Sequence, residues 1–167
     1  MSEDMADFYA EQNLLKNNPQ EFVRLMTNRI EQNEDTRGSY FARHQGWLSL
    51  GDVMQALSDL DQTISLEGTP IAYLARGCIF MRLGRYHEAL ADFAKAESLA
   101  DDEFDWISMW GPLYQATCHA ALGHEAETLA EWARLKEDHW TPGLDGTPAG
   151  DKAEVLAELK RRLAAAR

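Results

Sequence analysis

Three glycines punctuate this chain in the same local setting: Leu50, Gly51, Asp52, then Leu83, Gly84, Arg85, then Leu122, Gly123, His124. Gly51 and Gly84 lie 33 residues apart, Gly123 follows 39 later, and Asn18 precedes Gly51 by 33. Between these breaks apolar residues recur at helical spacing with almost no alternation of period two, so each interval reads as two helices. A single pair that short cannot bury its apolar face alone. A period near 34 residues is therefore the signature of stacked helix pairs, a helical solenoid, and the expected fold class is all-α.

Further breaks at 16–20, 33–39, 67–70, 100–103 and 141–151 delimit about nine helices. Asn18, Pro19 and Glu21 form a start signal, with Asn18 as N-cap, Pro19 at the first helical position and Glu21 placed to close a capping box. Phe22, Val23, Met26 and Ile30 follow as that helix's apolar face. Asp151 can cap a last helix whose apolar face is Val155, Leu156, Leu159 and Leu163, with Lys160, Arg161 and Arg162 favouring its carboxyl end. The segment 141–151, "TPGLDGTPAGD", reads as a flexible connection to that helix.

Gly77 stands inside a helix, where glycine costs roughly 1 kcal/mol relative to alanine. Its presence implies a close helix approach. The same spacing logic extends over its neighbours: Tyr73, Gly77, Phe80, Gly84, Tyr86, Ala89, Phe93 and Ala96 form a pattern that resembles the tetratricopeptide repeat, with Asp101 where that pattern has a final Pro. Residues 37–69 match in part through Tyr40, Trp47, Gly51, Ala56 and Leu60, but carry His44 in the first small slot, which implies looser packing there. Residues 104–138 match weakly through Ala116, Gly123, Thr128 and Trp132, and 4–34 match weakly as well.

The resemblance implies a right-handed solenoid of about four antiparallel helix pairs plus a C-terminal helix. The expected organisation is one domain: an N-terminal helix pair over 1–36, repeats over 37–69 and 70–102, a degenerate repeat over 103–140, a loop over 141–151 and a capping helix over 152–167. Arg43 and Arg76 precede the small slot by one, and Asp59 and Asp92 follow them by 16. They are similar to the Arg and Asp of a bacterial variety of the repeat, and imply an ion pair joining the two helices of a unit.

Composition narrows the function. The 28 acidic against 16 basic residues leave a net charge of -12, which argues against nucleic acid as a ligand and favours a basic protein partner. Residues 101–140 hold nine acids and two bases, including "DDEFD" at 101–105 and "EAETLAEW" at 125–132. The amino-terminal stretch is acidic, without a basic start and apolar run, and no segment approaches a membrane span, so a cytoplasmic location is expected. Cys78 and Cys118 read as packing residues in a reducing compartment.

Chemistry is sparse. His119 and His124 are five apart and straddle the Gly123 break, a poor spacing for two ligands on one helix face, so no metal site is expected. No phosphate loop or marked catalytic dyad stands out, and the expectation is a noncatalytic chain without cofactors. What remains is a groove lined by the first helix of each pair. Its expected partner-binding residues are Phe41, Gln45 and Leu48, then Leu74, Cys78 and Met81, then Trp110, Leu113, Tyr114 and Thr117. Such a mostly apolar face suits a helix or extended peptide of a protein partner. The acidic flank is the competing surface. An immunity or inhibitor protein acting on a toxin and a chaperone of a secreted protein are the alternative functions. The chain's own amino-terminal helices or its last helix could also fill the groove.

Overall fold

The computed structural model describes residues 3–101 and 105–166. Met1, Ser2, Asp102, Glu103, Phe104 and Arg167 lie outside the described residues, and with them much of the expected break at 100–103 and of the acidic 101–105 stretch. Nine α-helices are found among the described residues, and the only strands there are two of three residues each. The chain divides into two compact units, residues 1–68 and 69–167.

The first unit holds α1 (Glu3–Asn17), α2 (Pro19–Glu31), α3 (Thr36–Ser49) and α4 (Val53–Leu66). Helix α3 packs on both α2 and α4, and α1 rests on α2. Phe22, Val23 and Met26 of α2 are buried, as are Ala56, Leu57 and Leu60 of α4, while Ile30 is half-buried. Asn18 caps α2 by accepting from the Glu21 N–H at 3.2 Å, with Pro19 opening the helix. The expected reciprocal half of the capping box is missing. The Asn18 N–H already donates to Leu14 O at 2.7 Å, and the Glu21 carboxylate turns instead to Arg24.

His44 is buried, and its ring lies 4.9 Å from that of Phe41. Burial depresses its pKa to about 4, so the imidazole is held neutral. Close approach in this unit is provided two residues on. A Cβ at Gly46 would stand 2.6 Å from Val23 Cγ2, so the small residue that lets α3 meet α2 is Gly46.

The second unit holds α5 (Pro70–Arg82), α6 (Tyr86–Leu99), α7 (Asp105–Ala121), α8 (Glu125–Arg134), β1 (Trp140–Pro142), β2 (Ala149–Asp151) and α9 (Lys152–Ala165). Helices α5 and α6, α6 and α7, and α7 and α8 pack as successive neighbours. Gly77 sits at a true close approach: a Cβ there would lie 2.7 Å from Phe93 Cε1 and 3.3 Å from Asp92 Cβ. Helix α9 packs on α7 and α8, and its Val155, Leu159 and Leu163 join Leu113, Ala116, Ala120 and Leu135 in one cluster. Asp151 caps α9 with a full capping box: its Oδ1 accepts from Ala153 N and Glu154 N, and Glu154 Oε2 accepts from Asp151 N, each at 2.9 Å.

One backbone device ends α3, α5 and α7. Gly51, Gly84 and Gly123 have φ of 80°, 74° and 76°, a region in which a side chain is strained. In each case the next residue reaches back five: Asp52 N to Trp47 O, Arg85 N to Phe80 O and His124 N to His119 O, all at 2.9 Å. That is the Schellman arrangement, which satisfies the last carbonyls and turns the chain into the following helix.

The charged pattern is equally periodic. Arg43 holds Asp59 with two bonds of 2.8 and 2.7 Å, and Arg76 holds Asp92 with the same two lengths. Each guanidinium also lies over a tyrosine, Tyr40 at 5.3 Å and Tyr73 at 5.7 Å from the ring centroid. In the first unit Arg43 further donates to Thr27 Oγ1 at 2.9 Å, tying α2 to the α3 and α4 pair.

The segment 141–151 differs from the flexible connection its composition implies. Strands β1 and β2 pair antiparallel, with Trp140 opposite Asp151 and Pro142 opposite Ala149, joined through a 3-10 turn at Leu144–Gly146. Four tertiary hydrogen bonds hold this hairpin and the start of α9. Lys152 Nζ donates to Leu135 O and Glu137 Oε1, both at 2.7 Å, and lies 4.9 Å from the Trp132 ring centroid. Trp132 Nε1 donates to Lys152 O at 3.0 Å, and Arg162 donates to Gly146 O at 2.9 Å. A buried ammonium with two acceptors and an aromatic face is stable only when all three are in place, which fixes the segment's path.

Candidate functional site

Helix α7 carries Trp106, Trp110, Leu113 and Tyr114 at spacings of four, seven and eight, which puts them on one face. Opposite them stand Thr141 and Pro142 of β1 and Thr147 of the hairpin. These seven residues line a cavity of about 280 Å³. The hairpin itself is thus one wall of the site, and its 3-10 turn packs on α5.

Behind the cavity, the Tyr114 ring stacks on Phe93 with centroids 5.1 Å apart, and its hydroxyl meets the Cys78 thiol of α5. The Asp145 charge reaches the same pair. Burial first and the Asp145 charge second push the Cys78 thiol up to about 12, against a smaller opposing effect of the Tyr114 hydrogen bond. Burial also raises the Tyr114 phenol. Trp110 meets His139 edge-on, with centroids 5.2 Å apart. His139 is itself buried, its pKa lowered by that burial and by the Lys152 ammonium. At neutral pH the thiol, phenol and imidazole next to the cavity are uncharged, so what they offer is shape and apolar surface.

The ten residues expected to bind a partner divide sharply. Trp110, Leu113 and Tyr114 line the cavity together, and Cys78 abuts it through Tyr114. Leu74, Met81 and Thr117 are buried, with exposures of 8, 5 and 1 %, and are not a lining that a ligand can touch. Leu113 is also largely core, since α9 covers it. The reason lies in the two elements that follow α8: the hairpin turn packs on α5 and α9 packs on α7. Both helices thus lose free face to the chain's own carboxyl-terminal part. Phe41, Gln45 and Leu48 are half-buried on α3 of the first unit.

Trp106, Thr141, Pro142 and Thr147 were not anticipated. Trp106 extends the helical stripe of Trp110 and Tyr114 by one turn toward the amino end, a signal present in the sequence. The three hairpin residues carry no such mark, because their place depends on where the hairpin folds. No family model, curated protein or solved structure matches this chain. Among the described residues no helix is long and apolar enough to cross a membrane.

Proposed function

We propose that the chain is a noncatalytic interaction module of the tetratricopeptide type, a right-handed stack of antiparallel helix pairs, that holds an apolar side chain of a protein partner in the cavity between α7 and the hairpin. The observation that carries this reading is the cavity's wall of Trp106, Trp110 and Tyr114, aromatic residues that dominate protein recognition sites. Its volume, about 280 Å³, is just under the roughly 300 to 1,000 Å³ of small-molecule pockets and suits one or two side chains better than a cofactor. Trp140, at the start of β1, is 63 % exposed, an unusual placement for so large an apolar ring and a second contact for a partner. The repeated Tyr, Arg and Asp constellation and the three identical helix ends support the repeat assignment.

The test is a peptide library, helical and extended, screened by tryptophan fluorescence. Peptides with a bulky apolar anchor should bind wild type and lose at least about tenfold in affinity against Trp106→Ala, whose helicity is checked by circular dichroism. Binding should persist from 0.1 to 1 M salt, over which the Debye length falls from about 10 to about 3 Å. Ligands that ignore Trp106→Ala and vanish in salt would place recognition on the acidic flank of α8 instead.

A further inference from the structure

The Schellman turn that ends each first helix brings two side chains together across it, those of the third-last helical residue and of the residue after the glycine. After α5 these are Phe80 and Arg85, and the Arg85 guanidinium lies 4.3 Å from the Phe80 centroid. After α7 the same two places hold His119 and His124. Their Nδ1 atoms are 3.4 Å apart. The break at Gly123, which counts against a ligand pair on a continuous helix, is what makes them neighbours.

That separation has a chemical meaning. Two nitrogens bound to one tetrahedral zinc ion at 2.0 to 2.1 Å are separated by the tetrahedron's edge, about 3.3 to 3.4 Å. A third imidazole is close by: His87, exposed on the first turn of α6, has its ring centroid 6.3 Å from that of His124. Among the described residues no three ligands converge on a point as the side chains stand. Rotation of the exposed His87 side chain would supply the third.

We propose that His119 and His124 chelate a divalent transition-metal ion of the zinc type, with His87 as third ligand and water completing the shell. The surroundings favour such an ion. Glu127 and Glu131 of α8 act electrostatically on His119 and would attract a cation. Soft and borderline ions fit imidazole, whereas Mg²⁺ and Ca²⁺ prefer oxygen. Binding would clasp the α7 to α8 turn onto α6, and it does not depend on the cavity reading above.

The test uses the full chain without a histidine tag. Calorimetric titration with Zn²⁺ should give one site per chain, and Zn²⁺ but not Mg²⁺ should raise the melting temperature. Affinity should fall at least about tenfold in His119→Ala and in His124→Ala, since even outer-shell losses cost 10- to 100-fold. His87→Ala should fall by less. Cobalt provides a readout free of variants: wild type loaded with Co²⁺ should show the intense visible absorption of a tetrahedral nitrogen site, displaced by Zn²⁺. A Co²⁺ spectrum like that of the aqueous ion, or zinc affinity unchanged in folded His119→Ala and His124→Ala, would overturn the proposal.

Discussion

Replacing Gly77 by alanine sets two effects of known sign against each other. Alanine is the better helix former by about 1 kcal/mol, so on an open helix surface the change would stabilise. Here the added Cβ would stand 2.7 and 2.9 Å from two carbons of the Phe93 ring and 3.3 Å from Asp92 Cβ. Relief requires Phe93 or the α6 backbone to move. The ring is 1 % exposed and stacked on Tyr114, so it has nowhere to turn. Asp92 is held by two bonds from Arg76, which sits one residue before Gly77, so sliding α6 would break the pair. Overpacking of this kind costs about 1 to 3 kcal/mol, and after subtraction of the propensity gain Gly77→Ala should be destabilising by about 1 kcal/mol, Gly77→Leu by about 3 or more. For a chain of this length about 1 kcal/mol corresponds to about 2 to 4 °C in Tm. Thermal and urea unfolding followed by circular dichroism reads it. The cause is checked in a Phe93→Leu background, where the ring is gone and the alanine should become neutral or stabilising, a coupling of about 1 to 2 kcal/mol. A Gly77→Ala protein that melts above wild type, or a penalty that survives loss of the ring, would refute the close-approach reasoning.

The buried His44 should make stability pH-dependent. Its folded pKa of about 4 lies below the ordinary 6.5, so the unfolded chain binds the extra proton between those values and stability rises with pH across that window. Relative to pH 7, wild type should lose up to about 3 kcal/mol as pH falls from about 6.5 to about 4, and His44→Leu should flatten that part of the urea-midpoint profile. Cys78 and Cys118, each raised to about 12 chiefly by burial, should resist thiol reagents at pH 7 and react together only on unfolding. Rapid labelling of either in the native state would show that its burial is not maintained.

The helical character and most helix ends follow from local chemistry that a linear sequence displays. Gly51, Gly84 and Gly123 must adopt a left-handed turn that other residues resist, Asn18 and Asp151 offer an oxygen to free N–H groups, and Pro19 suits a first turn. None of these needs a distant partner. Gly77 is of the same kind, since a costly glycine in a helix announces a close contact, although only the structure identifies Phe93 and Asp92 as what it meets. Only the tertiary structure decided the matters in which a group has competing partners, a turn folds the chain back on itself, or residues far apart meet. Glu21 pairs with Arg24 because the Asn18 N–H is already taken by Leu14. Leu74 and Met81 lie in the interior, where a count along one helix face placed them on a lining. Residues 141–151 form a hairpin rather than a flexible link because Trp132, Leu135 and Glu137 hold Lys152, and that hairpin supplies half of the cavity whose other half, Trp110, Leu113 and Tyr114, could be read from helical spacing. His119 and His124 become neighbours for the same reason that they look mismatched in sequence: a turn with positive φ folds position five back onto position zero, and spacing rules for a straight helix do not describe it.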